Sequence, residues 1–173
     1  MKPRLLPVGL CALLCACAEV PPPPAPPPPP GPAASFHSRE FAWSAERGSA
    51  AIRGLVGYSR GGRRYSCAGE TAVLTPDAPY SRQRMEQLYG SSERAALPVD
   101  EVRSRQAHRP SDAYSSFVRR TTCDSQGRFA FQGLPAGGWF VIVVAQPVGG
   151  GQAMAFMRRV ETREGAIRTM ALD

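Results

Sequence analysis

The sequence predicts an all-β domain: a seven-stranded antiparallel β-sandwich carrying one long, partly helical insertion. Three observations predict it. From residue 50 onward, short apolar or alternating runs recur between turns rich in Gly, Pro and Asp, and helical periodicity is confined to one segment. The run WFVIVVA at 139–145 is seven consecutive apolar residues rich in β-branched side chains, as expected of a central strand buried on both faces. Residues 35–173 suffice for a single core and are too few for two.

The residues before that domain read as an address. Lys2 and Arg4 precede an apolar stretch over 5–15, too short to cross a hydrocarbon core of about 30 Å as a helix. Residues 1–16 are therefore expected to be a signal peptide. The stretch ends in Leu14-Cys15-Ala16-Cys17, which resembles a bacterial lipobox with Cys17 as the lipidated residue. Cys11 and Cys15 each follow a leucine, which is bulky for the cleavage site. Ordinary secretory cleavage, giving a soluble exported protein, is the alternative. Ala18 follows Cys17 where an aspartate would signal inner-membrane retention, so the resemblance to Gram-negative lipoproteins implies the outer membrane, facing the periplasm or the surface. Residues 17–34 then form a linker. Its 21–30 segment (PPPPAPPPPP) predicts a polyproline II spacer about 30 Å long, at roughly 3.1 Å per residue.

Within residues 35–173, Phe36, Phe41 and Trp43 can tack an extended lead-in onto the domain. The first strand is expected over 51–58 (AIRGLVGY), with Ile52, Val56 and Tyr58 on one face. Gly61-Gly62 turns the chain, and a second strand is expected over 65–75. A third, over 117–122, leads into Asp124-Ser125-Gln126-Gly127. There the aspartate caps the backbone and Gly127 takes a positive φ. Return strands follow over 128–132, 139–145, 153–162 and 167–172, each bounded by a glycine-containing turn. The insertion spans 76–116. Ser81 can cap a helix over 82–89 ending at Gly90, with Met85, Leu88 and Tyr89 on one face and Tyr80 stapled onto Met85. Arg82 and Arg84 oppose the dipole of that helix. As the largest departure from a minimal sandwich, the insertion is the expected interaction surface.

The segment Thr122-Cys123-Asp124-Ser125-Gln126-Gly127-Arg128-Phe129, followed by Gly133-Leu134-Pro135-Ala136-Gly137 and the apolar run 141–144, resembles the carboxypeptidase regulatory-like domain. That family shows a T-x-D-x-x-G-x-F hairpin, a G-L-P-x-G turn and an apolar strand; Gly54-x-Val56 and Ala72-Val73-Leu74 match its weaker early strands. The resemblance implies a transthyretin-like Greek-key sandwich with a non-catalytic accessory role. Cys123 within the motif and the long insertion depart from the pattern.

Catalytic readings find little to stand on. Gly57-Tyr58-Ser59-Arg60-Gly61 fits G-x-S-x-G, but a nucleophile elbow needs a helix next, and Gly61-Gly62-Arg63-Arg64 cannot start one. His37 and His108 are the only histidines, and no H-x-H, H-E-x-x-H or C-x-x-C spacing occurs, so neither an enzyme nor a cofactor is expected. Paired arginines at Arg63-Arg64, Arg119-Arg120 and Arg158-Arg159 can meet anionic lipid headgroups or acidic glycan, or simply solvate strand faces. Nucleic acid is not an expected partner of an exported chain.

The sequence therefore predicts a non-enzymatic, lipid-anchored envelope protein with a structural or protein-interaction role. A carbohydrate-binding module is the alternative, with Trp43, Tyr80, Tyr89 and Tyr114 as candidate sugar-stacking residues. Setting aside Cys17 and the two signal-peptide cysteines leaves Cys67 and Cys123, both near strand termini in an oxidising compartment. They are expected to pair, the alternative being two separate buried thiols.

Overall fold

The computed structural model describes residues 34–106 and 110–173; Cys17, the proline-rich segment and His108 lie outside them. The described chain is mostly β-strand, in two packed sheets. Among the described residues, ten strands form where the sequence predicts seven: β1 (Ala50–Val56), β2 (Ser59–Arg60), β3 (Arg63–Ser66), β4 (Thr71–Pro76), β5 (Arg94–Pro98), β6 (Arg119–Thr122), β7 (Arg128–Leu134), β8 (Gly137–Pro147), β9 (Met154–Thr162) and β10 (Ile167–Leu172). The expected strand over 65–75 is two strands. A turn closed by Glu70 N–H on the Cys67 carbonyl (2.8 Å) breaks it.

The smaller sheet runs β10-β1-β7. Here the all-antiparallel expectation is corrected, since β1 and β10 pair in parallel with Ala51 opposite Ile167 and Val56 opposite Leu172. They are the first and last full strands, so no short hairpin dictates their relative direction. The larger sheet runs β5-β9-β8-β4-β6, and the β2–β3 hairpin extends it from the far end of β8.

β8 explains the layering. Its Trp139, Val141, Val143 and Ala145 point into the core between the sheets, beside Ile52, Leu74, Phe131 and Phe156. Phe140, Ile142 and Val144 point the other way, as a period-two strand must. That outer face is apolar and needs a cover. The insertion supplies it: α1 (Pro79–Tyr89) lays Met85, Leu88 and Tyr89 onto Phe140 and Met157, and α2 (Val99–Ser104) adds Val99. β5, within the insertion, joins the sheet through β9. The insertion is thus a third layer and not a free loop, so its core-facing residues are not an interaction surface.

Helix α1 starts earlier than expected. Ala78 is the N-cap, and Ser81 works from inside the first turn, where its Oγ accepts the Ala78 N–H (2.8 Å) and donates to the Pro76 carbonyl (2.5 Å). Gly90 ends it at φ 71°, donating to the Glu86 carbonyl. Tyr80 is not a staple for Met85; it joins an aromatic cluster with Phe36 and Tyr114 from α3 (Asp112–Ser115). The opposed charge of Arg82 is answered by Asp77, a carboxylate only 1% exposed that receives Arg82 Nε at 2.5 Å and Arg159 Nε at 2.6 Å. Both guanidinium pKa values are raised, foremost by the hydrogen bond to Asp77. A Cβ at Gly138 would come within 2.8 Å of that carboxylate, so a glycine is required beside it.

The lead-in is tacked down as expected, but as two 3-10 turns (Ser38–Glu40 and Ala42–Ala45) instead of an extended run. Phe41 is fully buried, and Trp43 meets Trp139 edge-on at 5.0 Å over Gly137.

The covering role of α1 makes a direct prediction. Met85→Ala removes a side chain 1% exposed beneath the outer face of β8 and is expected to destabilise the domain by about 2–5 kcal/mol. Urea denaturation checks this; a loss below about 1 kcal/mol would show the helix to be dispensable.

Candidate functional site

At the end of the sandwich where β1 finishes, three segments converge. After β1 the chain passes through Gly57, whose N–H is held by the Leu172 carbonyl (2.9 Å), and Tyr58, whose carbonyl accepts the Tyr65 N–H (3.0 Å). The β2–β3 hairpin turns on Gly61 and Gly62, both at positive φ, and pairs Ser59 with Arg64 and Arg60 with Arg63. The third segment is the turn between β6 and β7.

That turn is built as its sequence predicts. Asp124 Oδ1 accepts N–H groups from Gln126 and Arg128, each at 2.9 Å, and Oδ2 receives Arg128 Nε at 2.8 Å. These bonds hold the Asp124 carboxyl below the usual carboxylate range, the Arg128 backbone N–H contributing most. Because the folded-state pKa is depressed, the turn keeps this contribution down to acid pH and loses it only as pH falls through the lowered value. Gly127 has φ 73°, and a Cβ there would also lie 3.1 Å from Ser66 Oγ. The positive φ demands glycine, and a side chain there would also crowd Ser66.

Cys67 and Cys123 form a disulfide with Cα atoms 5.8 Å apart. The bridge joins the end of β3 to the start of the Asp124 turn, so it fixes two walls of one groove against each other. The groove is open, about 450 Å³ in volume, and lined by Val56, Gly57, Tyr58, Ser59, Arg64, Tyr65, Ser66, Ser125, Gln126 and Val148. Tyr58 and Tyr65 are half-buried and meet at 5.2 Å between ring centroids, Tyr58 leaning on Phe156 at 5.0 Å. Val148 is 59% exposed, and its N–H is fixed to the Arg64 carbonyl at 2.8 Å.

Chemically the groove offers two aromatic rings, three serine hydroxyls, one amide and one guanidinium. No carboxylate, imidazole or thiol is among its lining residues, and Ser59 sits on a two-residue strand followed by a glycine turn. His37 lies in the lead-in and does not line it. Among the described residues, no group of His, Cys, Asp and Glu is placed to hold a metal ion.

The four aromatics singled out in the sequence lie elsewhere. Tyr89 and Tyr114 are buried, Tyr114 hydrogen-bonded to Thr75 Oγ1 at 2.7 Å; Tyr80 and Trp43 are half-buried in aromatic packing. Burial raises the Tyr89 hydroxyl pKa to about 12 and that of Tyr114 in the same direction. Sequence reasoning missed Tyr65 as a site residue and read Tyr58 only as a strand position. The two rings are brought together by the chain's reversal through the β2–β3 hairpin, which sets the Tyr65 N–H on the Tyr58 carbonyl. Of the arginine pairs, Arg64 lines the groove, Arg119 is held by the Ser44 carbonyl (2.6 Å) beside Trp139, and Arg159 binds Asp77.

No protein-family model matches the chain, and no curated protein matches it. A crystal structure of "a putative carbohydrate binding protein" from Pseudomonas aeruginosa is similar in fold, with a TM-score of 0.57 and 16% identity, over 82% of this chain and 99% of that one.

The frame of the groove is open to test. Gly127→Val is expected to cost about 1–2 kcal/mol or more, through the positive φ alone. Reducing the disulfide is expected to cost up to about 4 kcal/mol, since the bridge closes 56 residues of chain. Thermal and urea unfolding of the variant, and of the native protein with and without reductant, check both; unchanged midpoints would contradict the assignment.

Proposed function

We propose that the domain is a non-catalytic glycan-binding module of the cell envelope and that the Tyr58–Tyr65 groove is its binding site. The observation that supports this best is the groove's composition. Sugars present apolar C–H faces and rings of hydroxyls, and this groove sets two aromatic rings beside uncharged donors and acceptors from Ser59, Ser66, Ser125 and Gln126. The fold of the Pseudomonas aeruginosa protein agrees with this reading. The finer relationship we infer is to transthyretin-like, carboxypeptidase regulatory-like modules, supported by the Thr122–Phe129 hairpin with its Asp124 cap and Gly127 turn. We further propose that Cys17 carries the lipid that tethers the protein to the outer membrane, with the proline-rich segment as spacer.

Protein docking is a second reading with one observation of its own. Leu55 (42% exposed) and Ile167 (55% exposed) lie on the outward face of the β10-β1-β7 sheet, where a second, more apolar groove of about 530 Å³ runs past Leu55, Ala130 and Thr169.

A glycan array separates the two. Tyr65→Ala and Gln126→Ala are each expected to weaken a retained glycan by about tenfold, roughly 1.4 kcal/mol, without lowering the unfolding midpoint much. Failure of the unaltered protein to retain any glycan would overturn the reading. The tether is checked separately: Cys17→Ser should move the protein from the membrane to the soluble fraction, because acyl chains supply the attachment.

A further inference from the structure

Three arginines fall within five residues on the hairpin that supplies one wall of the groove, Arg60, Arg63 and Arg64, of which Arg64 lines the groove itself. The two-residue turn places Arg60 directly opposite Arg63, a like-charge cross-strand pair that disfavours the hairpin. Arg64 sits opposite Ser59 on the other face, the face that lines the groove. Among the described residues, none of the three has a carboxylate within salt-bridge distance, whereas Arg82, Arg128 and Arg159 each do. Arg63 reaches only the Gly150 carbonyl, at 3.4 Å. Nor does the groove wall contain a carboxylate that would repel an anion. A tight hairpin thus carries concentrated, uncompensated positive charge beside a site suited to sugar rings.

We propose that this groove selects an acidic polysaccharide, one bearing carboxylate or sulfate groups. The inference rests on the glycan-binding reading above and deepens it. Arg64 meets the anionic substituent of the sugar seated against the tyrosines, its planar fork matching a carboxylate or sulfate in two hydrogen bonds. Arg60 and Arg63 lie on the reverse face of the same hairpin, out of reach of that sugar. They meet the following units of a chain that crosses the hairpin tip. A monosaccharide acid engages one arginine, and a polymer engages all three.

The experiment compares polygalacturonate with its methyl ester, and heparin with its desulfated form, using the native protein and its Arg60→Gln/Arg63→Gln/Arg64→Gln variant. The hairpin tip is exposed and the variant relieves its like-charge pair, so the variant is expected to unfold no lower than the native protein. At least one acidic polymer should bind ten times or more tighter than its neutral counterpart. The triple variant should lose that ratio, Arg60→Gln/Arg63→Gln, outside the groove lining, should lower it while retaining the neutral form, Arg168→Gln on β10 should change nothing, and added salt should weaken only the acidic form. Equal binding of acidic and neutral forms overturns the inference and leaves the glycan reading standing. Binding of polyglutamate or phosphatidylglycerol vesicles as tight as that of the acidic polymer also overturns it, because charge alone would then be read. Retention of none of the acidic polymers overturns it as well.

Discussion

The architecture follows from one constraint: β8 is apolar on both of its faces, and both must be taken from water. Trp139, Val141 and Val143 on one side and Phe140, Ile142 and Val144 on the other cannot be buried by a single partner sheet. A two-layer sandwich would leave the second set wet, at a cost of about 25 cal/mol for each Å² of apolar surface left exposed. The chain resolves this with a third layer inserted between β4 and β6. What looks like an excursion in the sequence is the cover that the central strand requires.

Polar groups then fix where the layers sit. Asp77 lies where β4 hands over to the insertion and binds one arginine from α1 and one from β9, so the new layer is keyed to the sheet it covers. Taking a carboxylate this far from water is tolerated because two guanidinium groups answer it, and it would be costly with either one missing. At the opposite end the disulfide does a similar task covalently. It sets the wall carrying Tyr65 and Ser66 against the wall carrying Ser125 and Gln126.

The parts legible in the sequence are those fixed by short-range chemistry. The 139–145 run announces a doubly buried strand, Asp124 and Gly127 announce their turn, and cysteine bookkeeping points to Cys67 and Cys123. The parts that were not legible depend on distant neighbours. The parallel pairing of β1 with β10 joins the two ends of the domain. β5 has the sequence RAALP, with no β-branched residue, and is a strand only because β9 offers it an edge. Ser81 sits where a cap is expected, but the residue before Pro79 takes the N-cap position and Ser81 serves from the first turn. The site was half legible: its frame could be read, but the rings within it could not. A tyrosine in a strand does not reveal whether its ring will be wholly covered by the core or will also border a groove.

The ends of β8 are put to different uses. Its first residues, Gly137 and Trp139, receive Trp43 from the lead-in, whereas Val148, just past its last residue, lines the groove. At about 3.3 Å per residue the eleven residues of β8 separate these poles by over 30 Å. A pull between the lead-in and the groove, by contrast, enters the sandwich through β1, which follows the lead-in and ends at the groove wall. It loads the hydrogen bonds of β1 to β7 and β10 in shear, all at once, instead of peeling them apart in succession. The strand that carries the chain into the domain is thus the one that reaches the groove, with a hydrogen-bonded neighbour on either side.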